Sequence, residues 1–195
     1  MRAFISAVFI FASVSGVQAA TIIDFDDQSA PPAFSQQTPL AEEYASLGVH
    51  FSGTGEVLNY NGNFGVSLGL PFTSPNFLAF NGDSGAFPPE TISFDFLVTN
   101  FSLDFAGSAG HVILKGYLDG NLVETASLYS GSNFSWSTLT LAGSGFDQII
   151  FDVSGTDNSF VVDNLTINAV PVPAAVWLFG SALAAFGWMR RKKAV

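Results

Sequence analysis

The chain has 195 residues, 48% hydrophobic and 11% charged, enough apolar material for one domain with a sizeable core. All sixteen Asp and Glu fall between Asp24 and Asp163, whereas five of the six Lys and Arg sit at the two ends; Lys115 is the only base between them, so the body carries a formal −15. A field of that sign repels nucleic acid and anionic lipid, which excludes nucleic-acid binding, and it attracts cations. With no cysteine, the fold does not depend on the redox state of its compartment.

The first 19 residues read as a signal peptide. Arg2 is followed by an uncharged apolar stretch, and Val17 and Ala19 supply the small residues that a signal peptidase needs, predicting cleavage after Ala19. Residues 20–169 then read as one all-β domain, because no long window repeats apolar residues at helical spacing.

In chain order, the "IDFDD" segment places Asp24, Asp26 and Asp27 on a first strand, and residues 28–39 hold too many prolines for a ladder. "EYASLGVHFSG" is expected to be a strand ending at a Gly turn. Residues 59–65 and 80–89 are Gly, Asn and Pro loops. In "TISFDFLV" the alternation puts Ile92, Phe94, Phe96 and Val98 inward; "FSLDFA" repeats it with Phe101, Leu103 and Phe105, and Thr99-Asn100 reads as a tight link between two strands. Asp119-Gly120 between two extended runs predicts a hairpin, since Gly tolerates the positive φ of a primed turn. "FDQIIFDV" and "SFVVDNLTI" are the last strands. About ten short strands with such loops predict an antiparallel β-sandwich of jelly-roll type.

Residues 170–195 form a separate segment. Sixteen uncharged residues from Ala174 to Met189 span about 24 Å as a helix, short of a bilayer core of about 30 Å. Adding 170–173 reaches twenty residues, Trp177 and Trp188 fall near the interfaces, and Arg190, Arg191, Lys192 and Lys193 form a basic cluster that stays cytoplasmic. Gly180, Ser181, Ala184 and Ala185 give a small-residue face for close helix packing. The order of Val170-Pro171-Val172-Pro173-Ala174, apolar helix and basic tail resembles the PEP-CTERM sorting signal of Gram-negative bacteria, in its VPLPA-CTERM variant. Val172 stands where that variant has Leu and the commoner form has Glu. The resemblance implies recognition by an exosortase-type membrane transpeptidase, removal of the tail and delivery to the cell surface or extracellular matrix, often where exopolysaccharide is made. The body resembles, more loosely, the β-sandwich domains that such proteins carry, through "IDFDD", "EYASLGVHFSG" and "FVVDNLTI".

Four carboxylates stand out: Asp24, Asp26 and Asp27 near the start and Asp163 near the end. In "VVDNLTI" strict alternation puts Asp163 on a face with Val161, Leu165 and Ile167, and a buried lone carboxylate needs a cation or several donors. Two readings follow, a structural Ca2+ joining the first and last strands, as in jelly-roll carbohydrate-binding domains, or hydrogen bonds from a neighbouring loop. Catalysis has little to work with: two histidines, His50 and His111, no cysteine, and no Gly-x-Ser-x-Gly; Glu42 or Glu43 paired with one of the early aspartates is the carboxylate pair a glycosidase would use. Glycan stacking needs exposed aromatic rings, for which Tyr44, Tyr60, Tyr117, Tyr129 and Trp136 are candidates, Tyr60 from its loop; Trp136 also reads as core. The expectation is a non-enzymatic, exported protein with a structural, adhesive or glycan-binding role in an envelope or biofilm, held in the membrane only until processed. A secreted glycan-active enzyme and a permanently anchored periplasmic protein are the alternatives.

Overall fold

The computed structural model describes residues 20–32, 39–59, 75–81, 89–107, 109–130, 135–155 and 159–170. The expected signal peptide with Val17 and Ala19, the loop residue Tyr60, and the tail from Pro171 through Arg190, Arg191, Lys192 and Lys193 lie outside them. The described residues fall in one compact unit.

That unit is all-β and antiparallel, apart from one 3-10 turn. Its strands are β1 (Thr21–Ile23), β2 (Val49–Ser52), β3 (Glu56–Asn59), β4 (Asn76–Asn81), β5 (Glu90–Gly107), β6 (Gly110–Leu118), β7 (Asn121–Ser130), β8 (Ser137–Gly155) and β9 (Ser159–Ala169). The sheet runs β3-β4-β9-β5-β8-β6-β7, with β1 beside β9 and β2 beside β5.

Two long strands organise it. Residues 91–105, expected as two strands joined by Thr99-Asn100, belong to one 18-residue strand, β5. The spacing explains the difference: inward residues alternate through Val98 and resume at Phe101, three positions on, and an odd step of this kind is a β-bulge as readily as a turn. Register shifts against β8 fall between Ser93 and Val98 and again between Val98 and Asn100. The strand bends there, since Phe94 and Phe101 lie with ring centroids 6.3 Å apart, whereas seven extended residues span about 23 Å. Likewise "FDQIIFDV" is only the second half of the 19-residue β8.

The bend brings the halves of the sheet face to face. Phe80 on β4 stacks on Phe151 on β8 at 5.2 Å, although their strands are not paired. One apolar cluster runs through both halves, with Phe25, Phe101, Phe105, Phe146 and Phe160 fully enclosed. A second cluster of Leu58, Phe77, Ala79, Ala106 and Val161 lies apart from it, and half-buried Trp136 packs on it.

Local chemistry departs from expectation in two further places. The "EYASLGVHFSG" segment is a strand only from Val49; Ala45–Leu47 is a 3-10 turn closed by Gly48 in the left-handed region. Strand β1 stops at Ile23, so Asp24, Asp26 and Asp27 lie in the turn after it, where Phe25 takes φ 60° and drops its ring into the core. The Asp119-Gly120 hairpin forms as expected, with φ of 51° and 76° and Leu118 opposite Asn121.

Glu90, the first residue of β5, is only 1% exposed. Gly55 N–H donates to its Oε2 at 3.0 Å, while Oε1 has no partner among the described residues. A Cβ on Gly53 would sit 2.0 Å from Oε2, so a larger residue there requires the Glu90 carboxyl to shift. Burial pushes the Glu90 carboxyl from 4.5 up to about 7, against the lowering effect of the Gly55 and Thr54 N–H groups. The folded chain therefore keeps a proton that the unfolded chain releases above pH 4.5, so stability falls as pH rises from there to about 7 and is level beyond. At about 1.4 kcal/mol per pH unit the loss is on the order of 3 kcal/mol. Glu90→Gln is neutral throughout and is expected to lose this component of the decline. Urea unfolding at pH 4.5 and pH 8 measures it, and equal declines in the two proteins would assign the effect elsewhere.

Candidate ligand-binding face

The alternation of buried and open residues gives one half of the sheet, β2-β5-β8-β6-β7, a solvent-facing side. On β6, Val112 and Leu114 point into the core, so His111, Ile113, Lys115 and Tyr117 point out. Strand register carries these into rows. Tyr117 lies opposite Gln148, Gln148 opposite Ser93, and Ser93 opposite His50, a row crossing four strands. Gln148 Nε2 donates to Ser93 Oγ at 3.4 Å within it. In the next row Thr125, Lys115, Ile150, Thr91 and Ser52 follow one another across five.

Aromatic rings stand at the β6-β7 end. Tyr129, 58% exposed, lies opposite His111, and the two rings meet edge to face at 5.2 Å. Lys115 Nζ donates to Asp152 Oδ2 at 2.8 Å, a bond that raises the lysine pKa. At the β2 end, His50 faces Glu42 Oε2 through Nδ1 at 2.7 Å and Asp95 Oδ1 through Nε2 at 3.2 Å. The bond to Glu42 is the largest influence holding the imidazolium above its ordinary pKa. Lys115 and His50 are thus each matched by carboxylates on a platform that also carries hydroxyl, amide, aliphatic and aromatic groups. Such a mixture suits a ligand with apolar faces and many hydroxyls.

The residues singled out from the sequence divide between several places. Asp24 Oδ1 accepts from Asp26 N–H, Asp26 Oδ1 from Asn76 N–H, and Asp27 Oδ1 from Tyr44 O–H at 2.6 Å. Tyr44 is thereby a core residue, its phenol pushed above its usual range by burial and by Asp27. Asp163 is 2% exposed, but the shared face with Leu165 and Ile167 does not form. Asn164 takes φ 50° beside a register shift, so alternation slips by one and Leu165 and Ile167 join Phe160 and Val162 in the main core. Asp163 keeps the parity of Val161.

Asn164 N–H donates to Asp163 Oδ1 at 2.7 Å. Burial raises the Asp163 carboxyl from 3.8 to about 7, and the charges of Asp26, Asp24 and Asp104 add to it. Among the described residues no three carboxylate or imidazole groups converge as a metal requires. Asp24, Asp26, Asp27 and Asp163 therefore do not form a ready calcium shell as they are placed.

The carboxylates considered for glycoside hydrolysis are engaged elsewhere, Glu42 with His50 and Glu43 with Ala41 N–H at 2.6 Å. A pocket lined by Gln28, Ser29, Pro31, Leu40, Glu43 and Val57 holds about 80 Å³, below the roughly 300 Å³ where small-molecule sites begin. The face was missed as a unit because its register joins residues as distant as His50 and Gln148, though the open alternation of "HVILKGY" was there to read.

No family model matches the chain, and no curated protein matches it. Among solved structures it is similar to the CBM22-1 xylan-binding domain of Xyn10C from Paenibacillus barcinonensis, with 13% identity, TM-score 0.45, and coverage of 78% of this chain and 94% of that one. It is also similar to the C-terminal family 22 carbohydrate-binding module of Xyn10B from Clostridium thermocellum, with 15% identity, TM-score 0.40, and coverage of 72% and 96%. A third is TmCBM61, solved in complex with β-1,4-galactotriose, with 12% identity, TM-score 0.43, and coverage of 68% and 100%. With TM-scores below 0.5 these likenesses carry no functional argument.

Proposed function

We propose that this is an exported, non-enzymatic surface protein whose jelly-roll-type β-sandwich binds glycan across the open face of β2-β5-β8-β6-β7. The observation that carries the reading is the register that sets Tyr117, Gln148, Ser93 and His50 in one row, with Tyr129 and His111 exposed beside it. Rings cover the apolar side of a sugar, while hydroxyl and amide groups orient it. The surplus negative charge of the body favours neutral or cationic chains over polyuronates. Structural and adhesive roles in an exopolysaccharide-rich envelope or biofilm follow from such binding.

Affinity electrophoresis through gels containing neutral polysaccharides tests this. Retardation is expected, with Tyr117→Ala and Tyr129→Ala each weakening it up to about tenfold, since an aromatic contact contributes about 0.5–1.5 kcal/mol. Binding indifferent to both substitutions would remove this face from the proposal. Depolymerisation of the same glycans would favour the enzyme reading.

Export and sorting rest on the sequence at both ends. In the proposed order, signal peptidase cuts after Ala19, the C-terminal helix halts in the inner membrane, and an exosortase-type transpeptidase acts at Pro171–Val172–Pro173. One structural fact is consistent with this: Val170 N–H donates to Leu97 O at 2.8 Å, and Pro171 after it has no N–H with which to extend the ladder. Mass spectrometry of surface material is expected to find peptides up to the Pro motif and none from Trp177 to Val195. Intact tails in mature protein would instead indicate a permanent anchor.

Structural calcium belongs to the same proposal, although it requires Asp24, Asp26 and Asp163 to move from their present hydrogen bonds. A fall in melting temperature of several degrees on adding chelator is the expected sign of it, and an unchanged melting curve would discard the metal.

A further inference from the structure

Strand β7 ends the sheet path, and among the described residues β6 is its only paired neighbour. Four of the seven exposed large hydrophobic residues among the described residues lie on it: Leu122, Val123, Leu128 and Tyr129. The other edges are short or covered. Phe51 N–H on β2 donates to Ala41 O at 2.8 Å, Asn59 N–H on β3 to Pro31 O at 2.9 Å, and β1 has three residues. No loop main chain among the described residues reaches β7. Ten residues long, with no Pro or Lys and one charge, it lacks the devices that normally blunt an edge, except for a bulge opposite Gly116-Tyr117.

We propose that β7 pairs antiparallel with β7 of a second copy about a two-fold axis at Ser127, joining two sheets into one. Alternation narrows the choice. In a regular strand, opposed residues must share a face, so a residue of even number can meet only another of even number. The bulge confines regular pairing to 124–130, whose midpoint is Ser127.

In that register Leu128 lies opposite the partner's Ala126, Tyr129 opposite the partner's Thr125, and Ser127 opposite the partner's Ser127. Each apolar contact occurs twice, and aromatic against β-branched is a favourable cross-strand pair. Charge placement agrees. Glu124 meets the partner's Ser130, and the two glutamates stand six residues apart along the seam, about 20 Å, or about 2.5 Debye lengths at physiological salt. Repulsion between two bodies of −15 remains, so added salt strengthens the pairing.

The test uses the full chain in mild detergent. Sedimentation is expected to show a dimer that tightens with sodium chloride, and Leu128→Lys to raise its dissociation constant at least about tenfold. Circular dichroism checks the fold of that variant. Because the chain has no cysteine, Ser127→Cys reports the register by itself. Opposed Cβ atoms lie about 4.5–5.5 Å apart, close to disulfide reach, so mild oxidation is expected to link Ser127→Cys dimers much faster than Thr125→Cys dimers, whose thiols face the partner's Tyr129. A monomer at every concentration and salt overturns the proposal. So does a dimer that survives Leu128→Lys and does not cross-link through position 127, as association through another protein surface or the C-terminal helix would give.

Discussion

Pairing of β5 with β8 through a shared bend is the constraint on which the rest of the molecule depends. Glu90 lies opposite Phe151 at one end of the ladder and Phe105 opposite Ser137 at the other. Before the bend the free side of β5 takes β2, and after it β9. One strand thus serves both halves of the sheet, and the bulge near Val98 turns inward residues on each side of it toward a single core. A straight β5 would leave Phe94 and Phe101, seven positions apart, on opposite faces and about 23 Å from each other, unable to share one core.

The same bend accounts for what the sequence disclosed and what it withheld. Strand character was plain because Val, Ile, Phe and Thr alternate with polar residues at period two, and the Asp119-Gly120 hairpin was plain because its chemistry is local. The joining of 91–98 to 101–105 was not, since a three-residue step between inward positions fits a turn or a bulge equally and only pairing with β8 decides. Asp163 failed for the same reason. Its polar, buried character was readable, but the left-handed Asn164 shifts alternation by one, and nothing in "VVDNLTI" distinguishes that from a regular strand. Residues 24–27 read as part of a first strand, but that strand stops at Ile23, and the Phe25 ring enters the core from the turn after it.

Buried acids are the cost of this arrangement. Glu90 and Asp163 are each nearly inaccessible, and each is raised to about 7 by burial. Neither has a cationic side-chain partner among its described hydrogen bonds, and the sequence supplies only Lys115 between the terminal segments, already bonded to Asp152. Bases have been kept almost entirely to the ends of the chain, and the body answers buried charge with protonation and main-chain donors. That division limits ligand chemistry as well: with its one lysine paired and His50 held between Glu42 and Asp95, the open face has little to offer an anion.

Face and edge are parts of one surface. Tyr129 belongs to both, exposed on the open side of β7 and placed in the regular stretch that a second copy would pair. An antiparallel seam with its two-fold perpendicular to the sheet keeps the open sides of both copies on one side, so two five-strand platforms become one, with the two Tyr129 rings flanking the junction. A long polysaccharide crossing that seam engages the second platform at high effective concentration, and modest contacts on each copy combine into avidity without any new contact. For a protein proposed to act in a matrix of repeating glycans, weak individual sites on a joined sheet achieve retention while each contact stays readily reversible.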